Sequence, residues 1–357
     1  LADYQSTSTR TIVYKYAPGT FVNGQDVGGQ VVPRLRSIRQ TVRFVRNVEI
    51  NLVTGELSVR NTWTPVEATT EDQTGQQTTI TSGAGVGDFA SVASPAYDRQ
   101  TPDQYPDLLG YTPQESLAPS HAATQGQNDG DVTVYYASNA SRAQISFIDL
   151  DTGDTLHVDG LTGQTGERLN YDPTSVIATL QKQGYKLVDN GWVQNPAGLN
   201  QATFDAYAPG ETVDTQDGKI PVIVKQVWQL IFCHKRLTIP ATDPQTPTEQ
   251  ITDGDGYTHA YPSGVAEADL NRTVHRQIYF KYEDGSDAFN SVDQAVDYTR
   301  TATIDLVKLA QGAADAETYT KWVADQQQTS FTEYSLPDHD HLLPGYTATL
   351  AGAPATI

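Results

Sequence analysis

Few residues have the chemistry and spacing of a metal or catalytic site, and the densest group is "DHDH" at residues 338–341. His339 and His341 share one side of an extended segment, and two imidazoles with a carboxylate suit zinc. A strong zinc motif, however, needs a third or fourth ligand at a defined spacing. We therefore interpret this stretch as a polar loop and predict no metal site.

Two acidic stretches, "DLDTGD" at residues 149–154 and "TDGDGY" at residues 252–257, resemble the first half of a calcium-binding loop. An EF-hand loop requires a glutamate at its twelfth position. Counting along the two stretches places Gly160 and Gly264 there instead. Asp and Gly are also the residues that tight turns use. We expect no cofactor, and a calcium site of another geometry stays open.

The sequence has no recognisable catalytic constellation. Cys233 precedes His234 in "LIFCHKR". Neighbours in a strand point to opposite faces, so we interpret Cys233 as a small core residue. Motifs for a nucleophile elbow, a phosphate-binding loop or a zinc protease are absent. A glycosidase-like carboxylate pair needs a cleft, which short modules in series rarely provide. We predict a chain that is not an enzyme and has no catalytic residue.

The composition favours several small modules over one large core. The chain has 357 residues, of which 38% are hydrophobic. This low hydrophobic fraction suits small domains with a high surface-to-volume ratio. The net charge of -20 argues against nucleic-acid partners and anionic membrane surfaces. The sequence has no apolar stretch of about 18–20 residues, so we expect no membrane insertion. It also lacks methionine, and we expect a fragment of a longer protein.

Two parts of the sequence repeat each other. "QTVRFVRNVEINLV" at residues 40–53 aligns with "QAVDYTRTATIDLV" at residues 294–307, and "TRTIVYKYAPG" at residues 9–19 aligns with "HRQIYFKYEDG" at residues 275–285. The further matches, in the same order, are Trp63 with Trp322, Phe89 and Pro95 with Phe331 and Pro337, and "GYT" at residues 110–112 with residues 345–347. This order indicates a duplicated module. In its first strand Ile12, Tyr14 and Tyr16 share one face, as do Ile278, Phe280 and Tyr282 in the second copy.

The copies differ in two places. The first contains a Thr/Gln/Gly-rich insertion near residues 66–88, which is typical of an exposed loop or a hairpin extension. The first also closes with the predicted strand "DGDVTVYYA" at residues 129–137. We expect the corresponding strand of the second copy to be cut off or replaced.

The aligned segments at residues 40–53 and 294–307 each carry a stripe of alternating hydrophobic residues with an arginine in the middle. Strict alternation would turn Phe44, Arg46, Ile50 and Leu52 inward in the first copy, and Arg300, Ile304 and Leu306 in the second. A buried, unpaired guanidinium would be too costly. We therefore predict a bulge or strand end near each arginine, or a carboxylate partner for it.

The module between the copies has a different pattern. Residues 143–163 read as a hairpin with its turn at "DTGD". The next segment predicts a helix with Asp172 as N-cap, Pro173 at the first position and Gly184 as a left-handed stop. Strands follow, which is a β-grasp order. A further helix is predicted over residues 315–326.

Tryptophan residues are the candidate sugar-stacking groups. Trp63 and Trp322 recur at matching positions, which favours a core role. Trp192 lies between turn residues in "DNGWVQ" and is the candidate for exposure and ligand binding. The Pro/Thr/Asp-rich residues 241–264 predict an extended spacer.

Taken together, the outer modules resemble the Mub repeats of mucus-binding adhesins from lactobacilli and related Gram-positive bacteria, and the central module resembles the MucBP domain. The resemblance implies a mainly β chain with α+β modules, built as tandem ubiquitin-like β-grasp domains in an elongated rod. The expected divisions are residues 1–138, 139–240, the spacer 241–264, and 265–357.

The resemblance also implies a function. The expectation is a non-enzymatic, monomeric fragment of an extracellular, cell-wall-anchored adhesin. It would bind mucin glycans, and immunoglobulins as further partners, through repeated weak sites. A structural stalk that projects a distal binding head is the main alternative, and an accessory region of a wall glycan hydrolase is a third. The resemblance places no ligand contact on a particular residue.

Overall fold

The computed structural model describes residues 4–192, 202–206, 213–215, 218–220, 226–328, 330–334, 345–347 and 349. The fold is mainly β, with 50% strand and 8% helix. Two compact units are present. The first comprises Leu1–Phe147, Thr155–Tyr171 and Asn190–Leu230, and the second comprises Ile148–Asp154, Asp172–Asp189 and Ile231–Ile357.

Before the first α-helix, the regular elements of the described chain are strands and one short 3-10 helix at Pro106–Leu108. They are β1 (Gln5–Tyr16), β2 (Phe21–Val22), β3 (Gln25–Asp26), β4 (Ile38–Ile50), β5 (Leu57–Glu71), β6 (Gln77–Ile80), β7 (Asp88–Phe89), β8 (Val92–Ala93), β9 (Tyr111–Pro113), β10 (Leu117–Ala118), β11 (His121–Ala122), β12 (Asn128–Ser138), β13 (Ala140–Asp149) and β14 (Thr155–Gln164).

The rest of the described chain combines short helices with strands and has a second 3-10 helix at Asp325–Gln327. The elements are α1 (Thr174–Lys182), β15 (Tyr185–Asn190), β16 (Val213–Thr215), β17 (Gly218–Ile220), β18 (Gln226–His234), β19 (Arg236–Ile239), β20 (Gln250–Thr252), β21 (Thr258–Ala260), α2 (Glu267–Leu270), β22 (Asn271–Lys281), β23 (Asp287–Thr299), β24 (Ala302–Asp305), α3 (Leu306–Ala310), β25 (Thr318–Tyr319) and β26 (Val323–Ala324).

The first unit is organised around β1. A six-stranded sheet has the order β6-β5-β4-β1-β12-β9, in which β1 is antiparallel to β4 and parallel to β12. Alternation along β1 buries Ile12, Tyr14 and Tyr16, as the sequence predicts, and Val134 and Tyr136 of β12 belong to the same core. The predicted insertion is a hairpin extension formed by β5 and β6.

The central segment contains the predicted hairpin, β13 and β14, followed by α1. The helix begins one residue later than predicted, because Pro173 is the N-cap residue. Asp172 still accepts the N–H of Thr174 at 3.0 Å. Gly184 has the predicted left-handed conformation, with φ of 92°. A four-stranded sheet has the order β14-β13-β18-β15.

The expected spacer is folded. Residues 250–260 form the hairpin of β20 and β21. Ile251 and Tyr257 are 5% and 0% exposed, in a core with Ile304 and Leu306. The Tyr257 hydroxyl donates to the carbonyl of Leu306 at 2.8 Å. The expectation of an extended spacer is wrong because two apolar side chains in this polar stretch are core residues of the second unit.

The helix predicted over residues 315–326 is also wrong. This stretch contains β25, which pairs with β24, and β26, which pairs with β23. Pairing with existing strands, together with ring contacts of Tyr319 and Trp322 to Arg300, outweighs the local helix pattern. In the part of the chain that the structure describes, every helix is too short or too polar to span a membrane.

Candidate functional site: a buried charge network and repeated arginine contacts

A buried histidine lies between two buried carboxylates in the second unit. His234 ends β18, Asp149 ends β13, and Asp305 ends β24, where it caps α3 by accepting the N–H groups of Val307 and Lys308. The His234 Nδ1 lies 2.6 Å from Asp305 Oδ2, and its Nε2 lies 3.0 Å from Asp149 Oδ2. The side chains of His234, Asp149 and Asp305 are 6%, 2% and 0% exposed.

This geometry determines the charge of the ring. A carboxylate only accepts hydrogen bonds, so both ring nitrogens of His234 must donate, as they do in the imidazolium. Burial by itself lowers the pKa of His234, but the bonds to Asp305 and Asp149 raise it, and the net shift is upward. The site therefore holds a positive charge between two negative ones, in surroundings where each alone would be costly.

Further ion pairs surround the histidine. Asp151 accepts the backbone N–H of His234 at 2.7 Å and Arg236 Nη2 at 2.9 Å. These contacts lower the pKa of Asp151, the bond from the His234 backbone most, against the opposing effect of burial. Arg236 also approaches Glu317 at 3.4 Å and Asp305 at 3.7 Å. Acidic and basic groups thus alternate through the cluster.

The first candidate calcium loop contributes directly to this network. Asp149, Asp151 and His234 place three potential ligand atoms within 4.8 Å of one another. Asp149 Oδ1 accepts the N–H of Asp151, and its Oδ2 accepts the Thr152 hydroxyl as well as His234. A cation here would compete with the imidazolium for the same oxygen.

The second acidic stretch forms a turn beside the network. Asp253 Oδ1 accepts the N–H groups of Asp255 and Tyr257. Lys235 Nζ lies 2.5 Å from Asp253 and 2.6 Å from Asp255. Burial lowers the pKa of Lys235, the two carboxylates raise it, and the net shift is upward. The Asp253 carboxylate therefore stabilises the turn, and the carboxylates of Asp253 and Asp255 both pair with Lys235.

A buried arginine in the first unit organises the first copy of the repeat. Arg10 is 1% exposed, and its Nε donates to Gln40 Oε1 at 2.8 Å. Arg10 Nη2 and Gln40 Nε2 both donate to the carbonyl of Ala90, at 2.9 and 2.8 Å. The guanidinium also lies 5.3 Å from the centre of the Phe89 ring.

The second copy repeats these contacts residue for residue. Arg276 Nε donates to Gln294 Oε1 at 2.9 Å, and Arg276 Nη2 and Gln294 Nε2 donate to the carbonyl of Thr332 at 3.0 and 2.9 Å. The guanidinium lies 5.1 Å from the Phe331 ring. The aligned residues of the two copies therefore form the same contact, in which an arginine and a glutamine both donate hydrogen bonds to one backbone carbonyl.

Arg46 and Arg300, in the middle of the repeated hydrophobic stripe, lie where the strands are interrupted, as predicted. The pairing of β4 with β5 shifts between Arg46 and Val48, and the Arg46 guanidinium lies 4.9 Å from the Trp63 ring. β23 ends at Thr299, directly before Arg300. A bulge in one copy and a strand end in the other are confirmed.

Aromatic rings contact both of these arginines. The Arg300 guanidinium lies 3.9 Å from the Tyr319 ring and 4.7 Å from the Trp322 ring, and its Nε donates to the Asp269 carbonyl at 2.7 Å. Trp322, like Trp63 in the first copy, is half-buried rather than a deep core residue. The tryptophans recur because each packs on an arginine.

Beyond these arginines the two copies diverge. Ile50 and Leu52 are 58% and 94% exposed, so the expectation that they face inward is wrong. Ile304 and Leu306 are 1% and 4% exposed, as predicted. The first copy continues to the exposed end of the β4–β5 hairpin, whereas the second turns into the core of the second unit.

Trp192 is not at the surface. Its side chain is completely buried, and its ring packs edge-on against Trp228 at 4.9 Å and Tyr171 at 5.9 Å. The expectation of an exposed sugar-stacking ring is wrong, because flanking turn residues do not determine what packs on the ring. Cys233 is half-buried beside the buried His234. The "DHDH" stretch lies outside the described residues.

Family models match two regions of the chain. Residues 141–216 match a mucin binding domain, and residues 265–356 match a Muc B2-like domain. These two regions are therefore similar to domains of mucus-binding adhesins, and the resemblance inferred from the sequence is confirmed. The curated proteins include no significant match to the chain.

Solved structures of the same kind are similar to parts of the chain. The crystal structure of Mub-RV is 20% identical over 53% of this chain and 76% of its own, with a TM-score of 0.35. The type 2 repeat of the mucus binding protein MUB from Lactobacillus reuteri is 21% identical, covering 55% and 82%, with a TM-score of 0.28. The MucBP domain of the adhesion protein from Pediococcus pentosaceus is 27% identical, covering 38% and 99%, with a TM-score of 0.19. Because these TM-scores are low, the assignment rests on the family models.

Proposed function

We propose that the chain is a non-enzymatic part of an extracellular adhesin that binds mucin glycoproteins. The observation that carries the proposal is the pair of matches, a mucin binding domain followed by a Muc B2-like domain. The proposal includes cell-wall anchoring, a monomeric state, and immunoglobulins as further glycoprotein partners. It does not require calcium.

The repeated contacts support an array of related modules. Arg10 with Gln40, and Arg276 with Gln294, hold two strand pairs in the same register. Several weak sites on one chain bind a multivalent surface far more tightly than one site does. The proposal also includes tandem β-grasp modules, which the hairpin, helix and strand order β14-β13-β18-β15 favours for the central segment.

Binding to immobilised mucin tests the proposal. The 357-residue chain should bind mucin in a saturable way, and it should bind more weakly after the glycans have been removed. An unrelated acidic protein of similar size and charge is the control for non-specific adsorption. Binding no stronger than that of the control, at low and at physiological salt, would refute mucin binding.

A structural stalk is the alternative, and the buried charge network favours it. Asp149 belongs to the mucin binding match and Asp305 to the Muc B2-like match, and His234 bonds to both. Such a network stiffens the segment that contains it, which a stalk requires. Mucin binding by this chain comparable to that of a longer protein containing it would count against the stalk.

A further inference from the structure

Three segments of the first unit that are far apart in the sequence form a groove. Residues 33–35 follow β3, residues 73–74 lie in the turn between β5 and β6, and residues 103–108 include the first 3-10 helix. The groove has a volume of about 410 Å³. Sites for small ligands measure about 300–1,000 Å³, so this groove is large enough for a ligand.

Polar contacts hold the three segments together. Gln73 Oε1 accepts the N–H of Arg36 at 2.9 Å, and Gln73 Nε2 donates to the Arg36 carbonyl at 3.0 Å, which ties the second segment to the first. Arg34 Nη1 lies 2.8 Å from Asp107 Oδ2, which links the first segment to the third. The groove is therefore largely pre-formed, as binding sites for small ligands usually are.

The lining combines apolar residues at its base with polar groups at its rim. Leu35 and Leu108 are 8% and 2% exposed and belong to the core of the first unit, and the half-buried Tyr105 packs against the same core. Asp103 and Gln104 are exposed. A tyrosine presents a ring and a hydroxyl, a carboxylate accepts, and an amide both donates and accepts. This combination suits a saccharide, which has apolar C–H faces and many hydroxyl groups.

A buried hydroxyl group lies beside the groove. Tyr14 is 1% exposed, and its hydroxyl has no hydrogen-bond partner among the described residues. Burial raises the pKa of Tyr14, and of its neighbours in the lining Gln73 lowers it and Tyr105 raises it. The Gln73 amide is already bonded to Arg36. Because buried polar groups are normally hydrogen-bonded, the position of this hydroxyl favours a polar ligand in the groove.

The charges of the rim indicate which saccharides fit. Among the described residues that line the groove, Arg34 is the cation and Asp103 and Asp107 are the carboxylates. Arg34 is already paired with Asp107, and the whole chain has a net charge of -20. An anionic ligand would therefore be repelled, whereas sugar hydroxyl groups can donate to the carboxylates.

We propose that this groove binds neutral saccharides of mucin glycans and discriminates against sialylated or sulfated ones. A sugar ring would lie on Tyr105, and its hydroxyl groups would bond to Gln104 and Asp103 at the rim. This inference rests on the proposed mucin binding, to which it adds a site and a class of saccharide.

Oligosaccharides released from mucin are the probe. Anion exchange separates them into a neutral and an acidic pool, and each pool is labelled at the reducing end with an uncharged fluorophore. In anisotropy titrations at low salt, the whole chain should bind the neutral pool in a saturable way and the acidic pool several-fold more weakly.

Two glutamines of the same loop provide a matched pair of variants. Gln104 lines the groove and Gln100 does not, and both are exposed. Gln104→Ala should weaken binding of the neutral pool about fivefold, because it removes hydrogen bonds to the ligand. Gln100→Ala should bind the neutral pool as the wild type does. Thermal unfolding of both variants checks that they are folded.

A gain of binding tests the role of charge. Asp103→Asn combined with Asp107→Asn removes two negative charges and releases Arg34, so the acidic pool should bind about fivefold more tightly at low salt. The control combines Asp131→Asn with Asp315→Asn, at two exposed positions outside the groove. It changes the net charge equally and should leave binding of the acidic pool nearly unchanged.

Several results would overturn the proposal. These are absence of saturable binding of the neutral pool, an acidic pool that binds the wild type as tightly, equal binding by Gln104→Ala and Gln100→Ala, and no gain for the Asp103 and Asp107 variant over its control. If the chain nevertheless binds intact mucin, only the site is wrong and the proposed function stands. Gln104-dependent binding of the neutral pool without binding to intact mucin would refute the proposed function and retain the saccharide site.

Discussion

Replacing His234 with glutamine should destabilise the second unit through its buried carboxylates. Glutamine is neutral and its single amide nitrogen cannot reach both Asp149 and Asp305 as the imidazolium does. Both carboxylates are nearly inaccessible to water. Removing one partner of a buried ion pair typically costs about 3–5 kcal/mol. Because glutamine retains one donor group, we expect the free energy of opening to fall by about 3 kcal/mol.

The pH dependence has a defined sign. The folded-state pKa of His234 is raised, so its contribution to stability is fully present below the unfolded-state pKa of about 6.5 and is lost as the pH rises through the folded-state value. Deprotonation leaves Asp149 and Asp305 without their shared cation, while Arg236 lies 3.7 Å from Asp305. The Tyr185 ring, edge-on at 5.4 Å from His234, carries no compensating charge.

Hydrogen–deuterium exchange can measure this pH-dependent loss of stability in individual peptides. Peptides that cover β18, β19, β24 and α3 should become less protected as the pH rises above the unfolded-state pKa of about 6.5, after correction for intrinsic exchange, because they open more easily when the imidazolium is lost. In His234→Gln the same peptides should be less protected at low pH and should show little further change.

The control is a histidine in an exposed ion pair. His275 lies 2.9 Å from Asp293, with side-chain exposures of 54% and 47%. His275→Gln should therefore leave the pH dependence unchanged, because exposed pairs contribute little. Protection of the wild-type peptides that is independent of pH, or a slope that persists in His234→Gln, would refute the assignment of a doubly paired imidazolium.

Two further predictions concern single contacts. Gln40→Ala should destabilise the first unit by about 1–3 kcal/mol, because buried Arg10 loses an acceptor; exchange of peptides from β1 and β4 measures this, and no change would show that Arg10 is satisfied without it. Gly184→Ala should be more damaging than Gly312→Ala, although both glycines have positive φ, because the added Cβ would lie 2.6 Å from the Leu306 backbone in the first case and in open space in the second. Equal thermal stability of these two variants would contradict the close approach.

Local patterns in the sequence predicted the elements that depend on local interactions. The β13–β14 hairpin, the turn glycine Gly184 and the alternation of Ile12, Tyr14 and Tyr16 follow from turn chemistry and from the two-residue period of a strand. The helix expected over residues 315–326 failed because short strands there pair with partners far away in the chain. Pairing of that kind leaves no local signature.

The charge network was not predictable for a related reason. Asp149 was part of a candidate calcium loop and His234 a neighbour of Cys233, but their common partner, Asp305, is 71 residues from His234. Nothing in the spacing of the three residues indicates that they converge. Trp192 illustrates the opposite error, since its flanking turn residues predicted exposure while Trp228 and Tyr171 bury its ring.

The repeated arginines show what internal duplication can reveal. Arg46 and Arg300 occupy aligned positions and share an aromatic contact, but the segments that follow them diverge. Arg10 was aligned with Arg276 in the same comparison, and this pair retains its glutamine, its phenylalanine and its carbonyl partner in both copies. A guanidinium that must be satisfied on several sides at once fixes the surrounding segments more strictly than a stacked one does. The more demanding contact therefore kept its glutamine, phenylalanine and carbonyl partners in both copies, and its register identifies β22 as the counterpart of β1.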